Sequence, residues 1–175
     1  MLVRREIRAD HPIVRDVHLA AFARDGGPAV EAALTERLRE GPWFLPALSL
    51  VVVADADGPA SGVVVGHVIA TRGVVEPSGR PAMGIGPLGV APAWQGRGVG
   101  SALMHALLGA AEATGERIAC LLGSRYYRRF GFRPSAEAGI AAPDPAWGAA
   151  FQARLFGEDP VRPGTFRYAA PFDAL

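Results

Sequence analysis

The chain contains no lysine; all 18 of its basic residues are arginine. That absence excludes a Walker-type phosphate lysine and a pyridoxal Schiff-base lysine. Cysteine is nearly absent too. Cys120 stands alone in an apolar segment, so no internal disulfide can form, and a small core residue is the expected role. No apolar run reaches the ~18 residues of a membrane span, and residues 1–6 lack the apolar stretch of a secretory signal. The cytoplasm is therefore the expected compartment. Net charge is only +1, which argues against nucleic acid or an anionic membrane as partner. His11, His18 and His105 lie far apart with no ligand spacing, so no metal site is expected. Repeats and low-complexity linkers are missing. The 175 residues suit a single domain spanning 1–175.

What is present centres on residues 84–115, GIGPLGVAPAWQGRGVGSALMHALLGAAEATG. Val99, Leu103, Leu107 and Ala110 recur at helical spacing among strong helix formers. Gly115 stands where a left-handed cap would close that helix. Its N-terminus then falls within residues 96–100. The first N–H groups of a helix lack intrahelical partners and carry partial positive charge. Gly96, Gly98 and Gly100 would leave those groups open to an anion, and Arg97 adds a forked cation. A tight turn is the alternative use for three alternating glycines. The spacing differs from the G-x-x-x-x-G-K-[ST] of a P-loop and the G-x-G-x-x-G of a dinucleotide fold. A nicotinamide oxidoreductase is accordingly remote.

Gln95-Gly96-Arg97-Gly98-Val99-Gly100 fits the Q/R-x-x-G-x-G/A signature of acetyl-coenzyme A binding. Downstream, Tyr126-Tyr127-Arg128-Arg129-Phe130-Gly131-Phe132 fits a Y-x-x-x-G-F segment at the right distance. On these two motifs the chain resembles the GNAT N-acetyltransferase superfamily, in its small bacterial branch with G-P-L-x-V and Y-Y-x-R-F-G-F patterns. The resemblance implies an α/β fold: a mixed, mostly antiparallel sheet of about six to seven strands with flanking helices. Strands 4 and 5 would splay to admit the coenzyme's pantetheine arm.

Read in order, residues 3–8 alternate as a first strand. Asp10 is placed to cap a helix reaching about Ala23, with Ile13, Val17, Ala20 and Ala21 inward. Residues 25–28 break it. A second helix covers about residues 29–39, with Val30, Leu34 and Leu38 in line and its charges on a solvated face. In GNAT proteins such a helical pair borders the acceptor site. Residues 48–54 and 62–72 read as strands joined by a hairpin turn at 55–58, which lacks the later glutamate of a calcium loop. A loop at 74–80 leads to a strand at 82–90. Gly84, Gly86, Pro87 and Gly89 are poor strand residues, so this segment carries a bulge or lies at the sheet edge. Residues 117–122 form a fifth strand, Gly123-Ser124 opens a short helix, and Phe132 begins a sixth strand. Beyond Pro134, Trp147, Phe151, Leu155 and Phe156 fit one amphipathic helical turn, and 165–169 a last strand. Acceptor specificity or dimerisation is expected to reside in this tail.

The resemblance also implies roles. Acetyl-CoA is the co-substrate and a primary amine the acceptor. Leu88, Gly89 and Val90 would contact the acetyl group and pantetheine, and Gln95, Gly96, Arg97, Gly98, Val99, Gly100 and Ser101 the pyrophosphate. Tyr127 would act as general acid toward the coenzyme sulfur; plain packing is the alternative for it and for Tyr126. Ser124 stands where many relatives carry Asn or Asp toward the coenzyme. No acidic residue lies within 82–90 to serve as base, which leaves His67, Glu76 or water. The implied activity is direct acetyl transfer to an amine of a small molecule or peptide. A non-catalytic acyl-CoA sensor is the alternative.

Overall fold

Runs of β-branched residues mark two of three long strands that lie side by side. In a computed structural model, which describes residues 1–23, 29–54, 62–157 and 160–174, β2 (Phe44–Ala54), β3 (Val63–Glu76) and β4 (Arg80–Val90) form an antiparallel meander. The short β1 (Leu2–Arg5) lies along the outer side of β2. A helix, α3 (Val99–Ala113), then carries the chain over to β5 (Ile118–Leu122), which runs parallel to β4. A parallel neighbour requires such a crossover. The order continues through β8 (Phe151–Leu155) to β6 (Arg133–Pro134). Away from this path, β9 (Gly164–Arg167) pairs with the far end of β3, and β7 (Ile140–Ala141) pairs with β9. The sheet is mixed and mostly antiparallel, with nine strands among the described residues rather than six or seven. The two unforeseen strands are β7, whose two residues lie below what a sequence period can register, and β8, while β6 answers to the strand expected from Phe132.

Helices cover both faces. On one, Val99, Leu103, Met104, Leu107, Leu108 and Ala111 of α3 pack on Leu50, Val52, Val68 and Met83. Each such side chain contributes about 1.5–3 kcal/mol by leaving water. The stripe is broader than the sequence pattern indicates, and Ala110 lies at its margin. On the other face lie α1 (His11–Ala21) and α2 (Val30–Arg39). Val14 meets Val51, Val53 and Val64, while Leu34 and Leu38 meet Ile69. Here the expected phase of α1 is off by one residue. Val14, Val17 and His18 are buried, whereas Ile13 is 39% exposed. Asp10 makes no side-chain bond to α1; it turns back to accept from the Ile7 N–H and the Arg4 guanidinium. An arginine partner outcompetes a cap here, since charge-assisted pairs are the stronger bonds.

Other expectations also change. The loop at 74–80 shrinks to a turn at 77–79, because β3 and β4 extend their ladder to Val75 and Arg80. The expected helical turn through Phe151 and Leu155 is strand β8, preceded by a 3-10 turn, Pro145–Ala150. Every residue of β5 pairs with one of β8. That tertiary ladder overrides a four-residue spacing of apolar side chains, which is compatible with either state. The breaks expected at 25–28 and 55–58 lie outside the described residues.

β4 decides where a ligand can enter. It lies between β3 and β5, so it is no edge strand. Val68 faces Leu88 and Ala70 faces Ile85, which leaves Ile69 opposite both Gly86 and Pro87. This is a bulge, at the proline that cannot donate to the ladder. On its other side, β4 pairs with β5 only at Met83 and Gly84. Beyond Gly84 the two strands part.

Candidate functional site

The start of α3 lies at the mouth of this gap. A 3-10 turn, Pro92–Trp94, leads off β4, and the Gln95 side chain donates back to the Val90 carbonyl at 3.1 Å. Gly96 (φ 72°) and Gly98 (φ 83°) both take the left-handed conformation. A Cβ placed on either would meet no atom within 4 Å. Gly98 precedes the helix and no side chain caps it; the first helical bond runs from the Ala102 N–H to the Gly98 carbonyl. The N–H groups of Val99, Gly100 and Ser101 therefore face open space without intrahelical partners.

These residues line a cleft of about 470 Å³. Leu88 and Val90 form one wall, Ala21 and Phe22 of the α1 end another, and Tyr126 and Arg129 close it. The Tyr126 hydroxyl bonds to Ser101 Oγ at 3.1 Å, and the Arg129 guanidinium lies 4.6 Å from the centre of the Tyr126 ring. Gly100 makes room for that hydroxyl, which would sit 3.3 Å from a Cβ there.

Four expected contacts do not line the cleft, Tyr127 among them, which lines a neighbouring cavity. The Arg97 guanidinium lies 5.4 Å from the centre of the Trp94 ring, and Arg129 supplies the cation at the cleft instead. Gly89 points away, toward α1, where a Cβ would lie 2.8 Å from His18 Nδ1. Ser124 caps the turn Arg125–Phe130 by accepting from the Tyr126 N–H, and its carbonyl accepts from Gln152. Arg129 was not separable from its neighbours in the sequence, because Arg125, Arg128 and Arg129 crowd a single turn.

A second cavity of about 360 Å³ adjoins the first, and Phe22 and Leu88 line both. Tyr127 belongs to the second cavity and Tyr126 to the first, so the adjacent tyrosines face different spaces. Gly123 permits this, since any Cβ there would collide with the Tyr127 ring. Burial, helped by Tyr126, raises the Tyr127 pKa above the ordinary phenol value. The hydroxyl consequently stays protonated and can donate. Glu31 of α2 is the charged residue among the described ones lining this cavity. Sequence reading placed it on a solvated face; the folded chain puts it among the residues lining this cavity.

Neither expected base lines either cavity. Glu76 bonds the Arg167 guanidinium at 3.0 Å on the surface. His67 is fully buried in a polar chain: its Nε2 lies 3.1 Å from Ser49 Oγ and its Nδ1 2.8 Å from His18 Nε2. Glu6 joins the chain beside Ser49 and pairs with Arg39. Cys120 is buried, which raises its thiol pKa and keeps it inert.

This chain has a consequence for acid stability. Burial alone would raise the Glu6 pKa, but bonds from His67, Arg39 and Ser49 outweigh it and hold it at about 2. Burial, with His67 adding to it, lowers His18 from 6.5 to about 3. Both folded values lie below the unfolded ones, so the unfolded chain binds more protons as pH falls. Stability is complete above pH 6.5, then declines toward pH 3 for His18, and from 4.5 toward 2 for Glu6. Each group costs about 1.4 kcal/mol per pH unit inside its window. We expect His18→Gln to flatten the unfolding free energy against pH between 6.5 and 4.5, as followed by urea titration. An unchanged slope would show that His18 is already protonated in the folded protein.

Comparison with known proteins bears on both cavities. The family model for the acetyltransferase (GNAT) domain matches residues 47–134, which carry β4, the glycine turn, α3 and both tyrosines. The uncharacterized N-acetyltransferase YjhQ of Escherichia coli is 34% identical over 142 residues, 79% of this chain and 73% of that protein. A solved GNAT family acetyltransferase from Brucella melitensis, in complex with acetyl-CoA, is 31% identical with a TM-score of 0.78, covering 98% of this chain and 97% of that one. The E. coli GNAT family N-acetyltransferase YhbS, solved in complex with CoA, is 26% identical with a TM-score of 0.84, covering 98% and 91%.

Proposed function

Because the chain belongs to the GNAT acetyltransferase family, we propose that residues 1–175 act as one unit that transfers an acetyl group from acetyl-CoA to a primary amine by direct attack. One observation carries the reading. Gly96 and Gly98 leave the α3 N-terminus bare at the point where β4 and β5 have parted. Such a cradle fits a diphosphate, whose charge the amides and the helix dipole stabilise. Any side chain at either glycine would fill it.

Acetyl-CoA, when bound, supplies an activated acetyl group on a thioester. The chain's own residues do the rest. Val99, Gly100 and Ser101 offer N–H groups to the phosphates, and Arg129 offers charge from the opposite wall. Leu88 and Val90 guide the pantetheine arm along the unpaired edge of β4, where backbone N–H groups can stabilise negative charge on the acetyl oxygen. Tyr127, protonated and lining the second cavity, donates to the departing sulfur. A thiol of pKa about 8.5 leaves readily, so modest acid help suffices.

The test is free-thiol release from acetyl-CoA in the presence of a panel of primary amines, with coenzyme affinity measured separately. Amine-dependent thiol release above the rate of hydrolysis is the expected result. Tight coenzyme binding with no turnover on any amine would make the protein an acyl-CoA sensor instead.

A further inference from the structure

The second cavity continues the gap between the parted strands. It is lined by residues 85–88 of β4 and by Leu121 and Leu122 of β5, all beyond the last paired residues, Gly84 and Cys120. Another wall is aromatic: Trp147, Tyr168 and Phe172 follow one another, with ring centres 6.3 Å apart for the first pair and 4.5 Å for the second. Leu122 is 47% exposed although it lines a cavity, and apolar surface left open in a concavity marks a place for a ligand. The volume, about 360 Å³, lies near the lower end for small-molecule sites.

Apart from Glu31, every described residue lining the cavity is apolar, aromatic, glycine or proline. Glu31 already has a partner of its own within the protein. A polar group driven among such walls loses bonds to water that few side chains here replace. A methylene group loses nothing; each one fully buried gains about three- to fourfold in affinity. Leu88 lines both cavities, so a thioester seated against it has the second cavity within reach of its acyl group.

Taking the acetyl-transfer reading as its basis, we propose that the second cavity is an acyl-chain site, and that the donors extend from acetyl-CoA to CoA thioesters of longer, unbranched apolar acids. The thioester stays beside Leu88 and Tyr127. The added methylenes lie against Leu121, Leu122 and the rings of Trp147 and Phe172. The bond changes are those of acetyl transfer with a longer chain. The lone pair of the neutral amine forms the N–C bond as the C–S bond breaks. The electron pair of that bond stays on sulfur, which takes the Tyr127 proton; the proton released from nitrogen restores Tyr127. The products are an N-acyl amide and the CoA thiol.

Two measurements test the cavity separately from the chemistry. The first is calorimetric titration of the protein with acetyl-, butyryl- and hexanoyl-CoA, without amine. The second is thiol release from the same thioesters with the amine panel. In wild type, affinity should rise at each step, and hexanoyl-CoA, with its four added methylenes, should bind at least about tenfold more tightly than acetyl-CoA. Trp147→Ala and, separately, Phe172→Ala should each cost hexanoyl-CoA about fivefold more affinity than they cost acetyl-CoA. A variant that merely loosens the fold would weaken all three thioesters alike, and the second variant serves if the first does not fold. Equal affinities in wild type, or equal losses across the series in the variants, would overturn the proposal even with acetyl transfer intact. Binding that strengthens with chain length, without turnover on any amine, would uphold the acyl-chain site and unseat the transfer reaction.

Discussion

Replacing Gly98 by glutamate should lower affinity for acetyl-CoA by at least a hundredfold. Three effects act in the same direction. Gly98 sits at φ 83°, which costs a residue with a Cβ about 1–2 kcal/mol. The space beside it is empty of protein atoms within 4 Å, and it is the space a diphosphate would fill. A carboxylate about 4 Å from a phosphate adds roughly 1 to 4 kcal/mol of repulsion, depending on the screening. At about 1.4 kcal/mol per tenfold, the repulsion by itself is worth roughly five- to several-hundredfold in affinity. The backbone cost falls on stability, and the side chain's bulk in the phosphate space carries the loss of affinity past about a hundredfold. Gly98→Ala separates the terms. It carries the backbone cost without the charge, so it should lower the melting temperature by a few degrees and weaken binding less. Calorimetric titration with acetyl-CoA reads both variants. Unchanged affinity in Gly98→Glu would mean that the coenzyme phosphates bind elsewhere.

Tyr127→Phe should lower kcat for amine acetylation by about a hundredfold, the lower range of general-acid contributions. The ring is retained and still packs over Gly123, so affinity for acetyl-CoA should change little. A pH profile sharpens the point. The Tyr127 pKa is raised, so the wild-type alkaline limb should fall only above the ordinary phenol range, and the variant should lack that limb. Tyr126→Phe is the control. It removes the bond to Ser101 at the cradle, and should weaken coenzyme binding while sparing kcat. If Tyr126→Phe lost kcat and Tyr127→Phe kept it, the two tyrosines would exchange roles.

These experiments probe residues that were legible in the sequence to different degrees. The glycine turn and α3 could be read directly, because helix period, capping glycine and left-handed turns are local properties. Gly98 and Gly115 both adopt positive φ as their positions demand. The bulge at Pro87 was legible as a disruption, since a proline cannot complete a ladder. Tyr127 was reachable by motif alone. That it and Tyr126 face separate cavities depends on a 3-10 turn, where neighbouring side chains point apart.

Other features had no local signal. His67 and Glu76 were reasonable bases on the sequence, yet one lies in a buried polar chain and the other on the surface. Glu31 shared its helix with Glu36 and three other polar or charged residues, Thr35, Arg37 and Arg39, and nothing in the spacing set it apart. Strand β8 was mistaken for a helical turn, because its apolar residues serve a partner, β5, some thirty residues upstream.

By itself, then, the order of residues determined the glycine turn at the start of α3: its backbone geometry arises from glycines within a few positions of one another, and short-range sterics suffice. The second cavity was decided only on folding. Its walls come from α1, α2, β4, β5 and the last third of the chain, and long-range pairing of strands alone determines which of those side chains meet.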